Sequence, residues 1–275
     1  MQRLTDEQFA RFGRLIYQHC GIRLDDRKVT LLTTRLQRRL RVLQLDDADT
    51  YFNLVTSRAG KDELNELLDV VTTNETSFFR TEPHFDWFTR TFLEQIHNEH
   101  RRGERDASLR VWSAACSVGA EPYSLAFCIA EKRFRMTDWK TNILATDLSE
   151  TSLQIARTAK YKQRMVDGVP PEKLSRHFRR TDDAIPEYQL RTEYRDMVTF
   201  RKHNLMQPIR EAPFDCVFLR NVLIYFDDQS KQTVIHHIAA ALAPGGYLVI
   251  GPSEGIYGLD NPLKKISTFL FQKSK

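Results

Sequence analysis

Two regimes of apolar spacing divide the chain. Up to about Val71 the apolar positions recur every three or four residues: Phe9, Phe12 and Ile16, then Leu32, Leu36, Leu40 and Leu43, then Tyr51, Leu54 and Val55, then Leu64, Leu67 and Leu68. That spacing lines one face of successive helices. Thr5 or Asp6 caps the first and Gly21 stops it, while Asp47–Thr50 and Lys61 open later ones. Residues 1–71 therefore read as a small helical domain. A polar linker, 72–83, carries Thr72–Glu82 and is followed by a long predicted helix, His84–His100. Beyond it, short apolar runs predict strands at Leu109–Trp112, Asn142–Thr146, Phe214–Leu219, Tyr247–Gly251 and Thr268–Gln272. Helices are predicted between them at Glu121–Arg135, Glu150–Lys160 and Asp228–Leu242, with Ala243–Gly246 as a turn. This alternation predicts a doubly wound α/β domain over residues 84–275. Residues 162–202 do not fit it and read as an inserted subdomain over the ligand edge of the sheet.

Composition narrows the class without naming a function. The 275 residues are 41% hydrophobic and 28% charged, enough for a sizeable core. No apolar run approaches the ~18–20 residues that span a bilayer, and MQRLTDEQFARFG lacks a signal-peptide core. A cytoplasmic chain with no membrane insertion is expected. Cys20, Cys116, Cys128 and Cys216 are scattered without a CxxC pair, so buried thiols are expected and no metal site. The net charge of +5 is too small to argue for nucleic acid. It is unevenly spread, however: Arg27, Lys28, Arg35, Arg38, Arg39 and Arg41 fall in one stretch with no acid. The plain reading is a solvated helix face; the functional one is a docking face for an acidic partner.

The stretch LRVWSAACSVGAEPYS, Leu109–Ser124, carries the most chemistry. A strand runs into small residues and then into a helix with Pro122 near its start. Such a strand–turn–helix brings backbone close to a nucleotide-like ligand. Of the usual glycines only Gly119 remains, and Glu121 at the helix start is poorly placed to meet phosphate. A cationic adenosine ligand without phosphate fits better, and S-adenosylmethionine is the obvious one. In open α/β sheets the ligand lies beyond the carboxyl ends of the strands, which here points to Ala115–Glu121, Asp147 and Asn221. Asp147 could hold ribose or simply cap a helix, and Glu121 could merely favour a helix's first turn.

Several motifs together are similar to the CheR family, chemotaxis receptor methyltransferases that esterify glutamate side chains with S-adenosylmethionine. They are TTNETSFFR (Thr72–Arg80), WSAACSVGAEPYS (Trp112–Ser124), ATDLS (Ala145–Ser149), VTFRKHNL (Val198–Leu205), FLRNVLIYF (Phe218–Phe226) and LAPGGYLVIGPSE (Leu242–Glu254). They occur in family order and, with the basic helix RLQRRLRVLQL, cover nearly the whole chain. The resemblance implies a Rossmann-like S-adenosylmethionine-dependent methyltransferase domain, mostly parallel with an antiparallel last strand. An all-α domain would precede it, and a small β-subdomain would be inserted. It also implies roles. Asn74, Thr76 and Arg80 would close over the cofactor, with Ala115 and Gly119 in the turn beneath. Glu121 would hold the methionine portion and Asp147 the ribose. Asn204 and Leu205 would meet adenine, and Asn221 and Val222 would line the pocket. Arg80 and Tyr225 would be catalytic.

Arg35, Arg38, Arg39 and Arg41 would face the acidic helical bundle of a transmembrane chemoreceptor. S-adenosylhomocysteine would be the product, and a monomer is expected. Val118, Ala120, Leu219 and Pro252 depart from the family pattern, while Glu121 is retained. Residues 184–192 lack a glycine-rich loop, so no receptor-peptide tether is expected. Two other readings stand beside this one. A methyltransferase acting on nucleic acid would use the same arginines on phosphates, although Asn221-Val222-Leu223 lacks the usual target-base signature. A module that senses the cofactor without catalysis would not need Arg80 and Tyr225, which could instead bridge domains and pack in the core.

Overall fold

The computed structural model describes residues 3–72, 75–132, 138–256 and 258–275. Four helices make the amino-terminal domain: α1 (Asp6–Cys20), α2 (Val29–Leu43), α3 (Ala48–Thr56) and α4 (Lys61–Val71). Thr5 and Gln8 form a reciprocal capping box at the start of α1, and Gly21 ends it at φ 72°. Asp47 caps α3 through the Asp49 and Thr50 amides. Phe12, Ile16, Leu36, Tyr51 and Leu67 are fully buried, as the helical spacing requires.

α5 (Glu82–Trp87) and α6 (Leu93–Arg101) are joined by a π-helical segment, Phe88–Phe92, so the predicted long helix is continuous but carries a bulge. The catalytic-type domain follows: β1 (Ser108–Ala114), α7 (Ala120–Glu131), β2 (Lys140–Asp147), α8 (Glu150–Thr158), β3 (Lys160–Tyr161), α9 (Gln163–Val166), α10 (Pro171–His177), β4 (Phe178–Arg180), β5 (Tyr188–Leu190), α11 (Thr192–Arg195), β6 (Val198–Lys202), β7 (Phe214–Leu219), α12 (Asp228–Ala241), β8 (Leu242–Ile250), β9 (Leu263–Lys265) and β10 (Leu270–Lys273). The main sheet has the order β6-β2-β1-β7-β8-β10-β9. β6, β2, β1, β7 and β8 are parallel, and β10 and β9 return antiparallel. The chain leaves β1 toward β2 and later returns to its other side as β7, which makes the carboxyl ends of β1 and β7 the switch point.

Three expectations need correction. Val198–Lys202 is not part of the insertion: it pairs parallel with β2, Ile143 opposite Val198, as the edge of the main sheet. The small sheet, β3-β5-β4, instead begins at Lys160. The Ala243–Gly246 segment does not precede the strand but lies within it. β8 already meets β7 at Phe214–Leu242 and absorbs the extra residues as an irregularity before Cys216 pairs with Tyr247. A short strand, β9, was missed as well.

Two apolar layers flank the sheet. On one side Trp112, Leu144, Phe214 and Ile250 join a single core with Phe12, Ile16, Leu36 and Leu67 of the helical domain. On the other, Phe127, Phe218 and Tyr161 pack with α5, α6 and the inserted subdomain. The helical domain is thereby set over the edge where β1, β2 and β7 end.

Candidate active site

A cleft of about 1040 Å³, its open mouth included, lies where the helical domain, the linker and the carboxyl ends of β1, β2 and β7 meet. Ala115, Ser117 and Gly119 follow β1 with φ of 63°, 51° and 90°. Left-handed backbone at non-glycine residues is costly and persists only where neighbours enforce it. Here the Cys116 amide donates to the Thr146 carbonyl at 2.8 Å and the Ser117 amide to Asp147 Oδ2 at 2.7 Å. Asp147 Oδ1 accepts from the Ser149 amide at 2.9 Å, so one carboxylate ties both loops together. Burial pushes the Asp147 carboxyl above its usual range, although these amides pull it back.

Gly119 has a different role from the one expected. It does not line the cleft; a Cβ there would meet Ala156 Cβ at 2.9 Å and Tyr161 Oη at 3.2 Å. Its contribution is close packing of the turn and the start of α7 against α8 and β3. Glu121 in the first turn of α7 is buried. Its Oε1 accepts from Ser113 Oγ at 2.8 Å, and its Oε2 pairs with Arg220 Nη1 at 2.9 Å. Arg220 Nη2 donates to the Arg80 carbonyl at 2.5 Å, and its buried Nε–H has no partner.

β7 ends into Asn221, at φ 60°, then Val222 and a short 3-10 turn, Leu223–Tyr225. Glu254, just past β8, holds this turn: Oε1 accepts from the Val222 amide at 2.6 Å and the Leu223 amide at 2.7 Å, and Oε2 from the Gly251 amide at 2.7 Å. From the opposite side the Arg23 amide donates to the Tyr225 carbonyl at 2.9 Å, and Ile22 bridges Phe226. Lys28 Nζ sits 4.8 Å above the Tyr225 ring. Arg80 is exposed at the same mouth, its Nη1 donating to the Glu75 carbonyl at 3.0 Å.

The cleft thus brings together Thr76, Arg80, Ala115, Glu121, Asp147, Asn204, Leu205, Asn221, Val222 and Tyr225. Asn74 lies outside the described residues. Asn204 lines the cleft, but its amide is also used for domain contact, donating to the His19 carbonyl at 2.6 Å and accepting from the Met206 amide at 3.0 Å. Arg220, Glu254 and the helical-domain wall of Cys20, Ile22, Leu24 and Lys28 were not foreseen. Arg220 had a sequence signal, since it stands at the end of the same strand as Asn221.

The basic face of α2 is smaller than expected. Arg39 is held by Glu63 at 2.6 Å and Glu66 at 3.1 Å within the helical domain, which removes it from the exposed face. Arg38 and Arg41 are exposed, and Arg35 is half-buried with an unpartnered Nη1. Burial and the neighbouring Arg38 pull the Arg35 guanidinium below its usual range, with Tyr225 acting against them.

The switch-point turn, the carboxylate at the end of β2 and a second domain closing the cleft define an α/β protein that binds a nucleoside cofactor without a phosphate cradle. Residues 74–270 match the model of the CheR methyltransferase SAM binding domain, and residues 7–72 that of the CheR methyltransferase all-alpha domain. The chain belongs to the CheR methyltransferase family, and it is an S-adenosylmethionine-dependent methyltransferase. A chemotaxis protein methyltransferase of Borreliella burgdorferi is 32% identical, covering 94% of this chain and 91% of its own length. One from Escherichia coli is 37% identical over 94% of this chain and 87% of its own, and one from Salmonella typhimurium 35% identical over 93% and 86%. Among the described residues, no helix is long and apolar enough to cross a membrane.

Proposed function

We propose that this methyltransferase esterifies glutamate side chains of chemoreceptors, acting as a cytoplasmic monomer on their acidic helical bundle. The donor set suits the cofactor. Arg220 has an unpaired buried Nε–H beside Glu121, a pairing suited to the opposite charges of an amino-acid end. Asp147, which lines the cleft, would hold the ribose hydroxyls, and Asn204 and Leu205 would supply the adenine wall. Thr76 and Arg80 would cover it from the linker, and Ala115, Asn221 and Val222 line the cleft. When bound, the cofactor supplies an electrophilic methyl group on a sulfonium sulfur.

A glutamate carboxylate is ionised at neutral pH, so the chain needs neither a general base nor a metal for this reaction. One carboxylate oxygen forms the bond to the methyl carbon while the carbon–sulfur bond breaks, its electron pair passing to sulfur and leaving S-adenosylhomocysteine. The protein's task is in-line alignment and partial removal of water from the attacking oxygen. Arg80 would steer the carboxylate by charge-assisted hydrogen bonds, and the Tyr225 hydroxyl would orient it. Arg35, Arg38 and Arg41, with Lys28 nearest the mouth, would hold the acidic receptor helix along α2.

The observation that carries this reading is that Arg80 and Tyr225, from the linker and the β7 turn, share one cleft mouth with the basic end of the helical domain. Transfer of labelled methyl to receptor-containing membranes tests it. Base-labile label is expected, and alkali-stable label would sink the ester. Arg80→Ala is expected to abolish turnover while cofactor affinity stays within about tenfold, ~1.4 kcal/mol; full activity in that variant would remove Arg80 from the mechanism.

A further inference from the structure

Glu254 is buried and has no cationic partner among the described residues, an expensive state for a carboxylate unless hydrogen bonds compensate it. Main-chain amides do so, and they belong to two loops: Asn221, Val222 and Leu223 after β7, and Gly251 directly after β8. These loops leave adjacent parallel strands, Leu219 opposite Ile250. The clamp leaves no slack. A Cβ on Gly251 would lie 2.6 Å from Glu254 Oε2 and 3.2 Å from the Asn221 amide, so a larger residue there would have to displace the carboxylate. The clamped turn is the one that starts from left-handed Asn221 and ends at Tyr225.

We propose that Glu254 is a positioning residue for methyl transfer, presetting the Asn221–Tyr225 turn so that the Tyr225 hydroxyl stands at the reacting centre. The inference rests on the role given above to Tyr225. The charge is what the site needs, because a carboxylate offers only acceptors to the converging amides, whereas a carboxamide turns one of its ends into a donor. Glu254→Gln should therefore release one side of the clamp while keeping its volume. Tyr225 would then lose its place, although Arg38 and Arg41, exposed farther along α2, would not.

The test is a double-mutant cycle on turnover per cofactor site, the sites counted by calorimetric titration with S-adenosylhomocysteine. Glu254→Gln is expected to lower kcat at least tenfold with receptor KM changed less than twofold. In a Tyr225→Phe background the same substitution should cost less than threefold, because the group it positions is already gone. Equal losses in both backgrounds, or a loss confined to the number of titratable sites, would overturn the proposal and leave Glu254 a stability residue. Wild-type turnover in Tyr225→Phe itself would instead overturn the role of Tyr225, a distinguishable failure. If Glu254→Gln does not fold, Glu254→Asp, which withdraws the charge by one methylene, is read through the same cycle.

Discussion

At the inner end of the cleft Glu121, Asp147 and Arg220, with Glu254 behind its β7 turn, are all buried, each tied to main chain or to a charged partner at 2.5–2.9 Å. At the mouth Arg80 is exposed, as are Arg38 and Arg41 on α2, and among the described residues their charged heads meet carbonyls or solvent rather than acids. On the proposed reading the inner end recognises a small molecule that never varies, so its groups can be fixed in advance at the cost of desolvating them. On the same reading the outer end would meet a large acidic surface, where hydrated cations act over about a Debye length, ~10 Å at 0.1 M salt. Substitutions inside should therefore register in stability and cofactor affinity, and those outside in substrate KM and its salt dependence.

The sharpest way to break this contrast is Glu121→Ala. It leaves Arg220 buried without its carboxylate, which should cost about 3–5 kcal/mol of folding stability, read by urea unfolding. A loss below ~1 kcal/mol would mean that water already reaches the pair.

Acid comes next. His84 stacks on Phe269 at 4.4 Å and His177 on Phe127 at 3.9 Å, and burial is the main cause holding both near a pKa of about 4. The unfolded value is near 6.5, so the unfolded chain binds more protons between those limits and stability rises with pH there. That contribution is fully present above about 6.5 and is lost as pH falls toward about 4. His177→Phe should flatten the slope by ~1.4 kcal/mol per pH unit; an unchanged slope would show that His177 charges within the fold. Asp147 and Glu254 act with the opposite sign on folding, because their carboxyls are raised by burial. On the proposed ribose contact, protonating Asp147 turns one of its acceptor oxygens into a donor, so cofactor affinity should fall in acid with a midpoint above the usual carboxylate range.

The smallest effects separate Arg38 and Arg41 from Arg39. Reversing Arg38 and Arg41 together should raise receptor KM a few-fold, by about 1 kcal/mol, more at low salt, with cofactor affinity unmoved. Arg39→Ala should leave KM alone and lower stability, because Glu63 and Glu66 hold it. A KM effect of Arg39 equal to that of Arg38 would return it to the docking face.

What could be read from the sequence follows the range of each interaction. β7 was bounded to the residue, since an apolar run between turns marks a buried strand locally. Glu121, Asp147 and Asn221 were placed by the rule that ligands lie beyond strand ends. Glu254 escaped because its meaning comes from amides 31 and 32 residues away, and Arg220 because its carboxylate is 99 residues away. Arg39 shows the same limit from the other side. Periodicity assigned it a face of α2, but only packing reveals that Glu63 covers that position. β6 was taken for part of the insertion because its partner strand lies 55 residues earlier, Val198 against Ile143.

The fastenings across the cleft have a thermodynamic consequence. Tyr17 bonds Asp227 at 2.9 Å, Asn204 bonds the His19 carbonyl, and Asp69 caps α8 through Thr151, so both domains close around one ligand space. A molecule held there by walls from both domains is linked to the unfolding of each. At a hundredfold excess over its Kd it adds ~2.7 kcal/mol to their joint stability. The helical and α/β domains should therefore melt as one cooperative unit when the cleft is filled, with the bound nucleoside acting as an interdomain rivet.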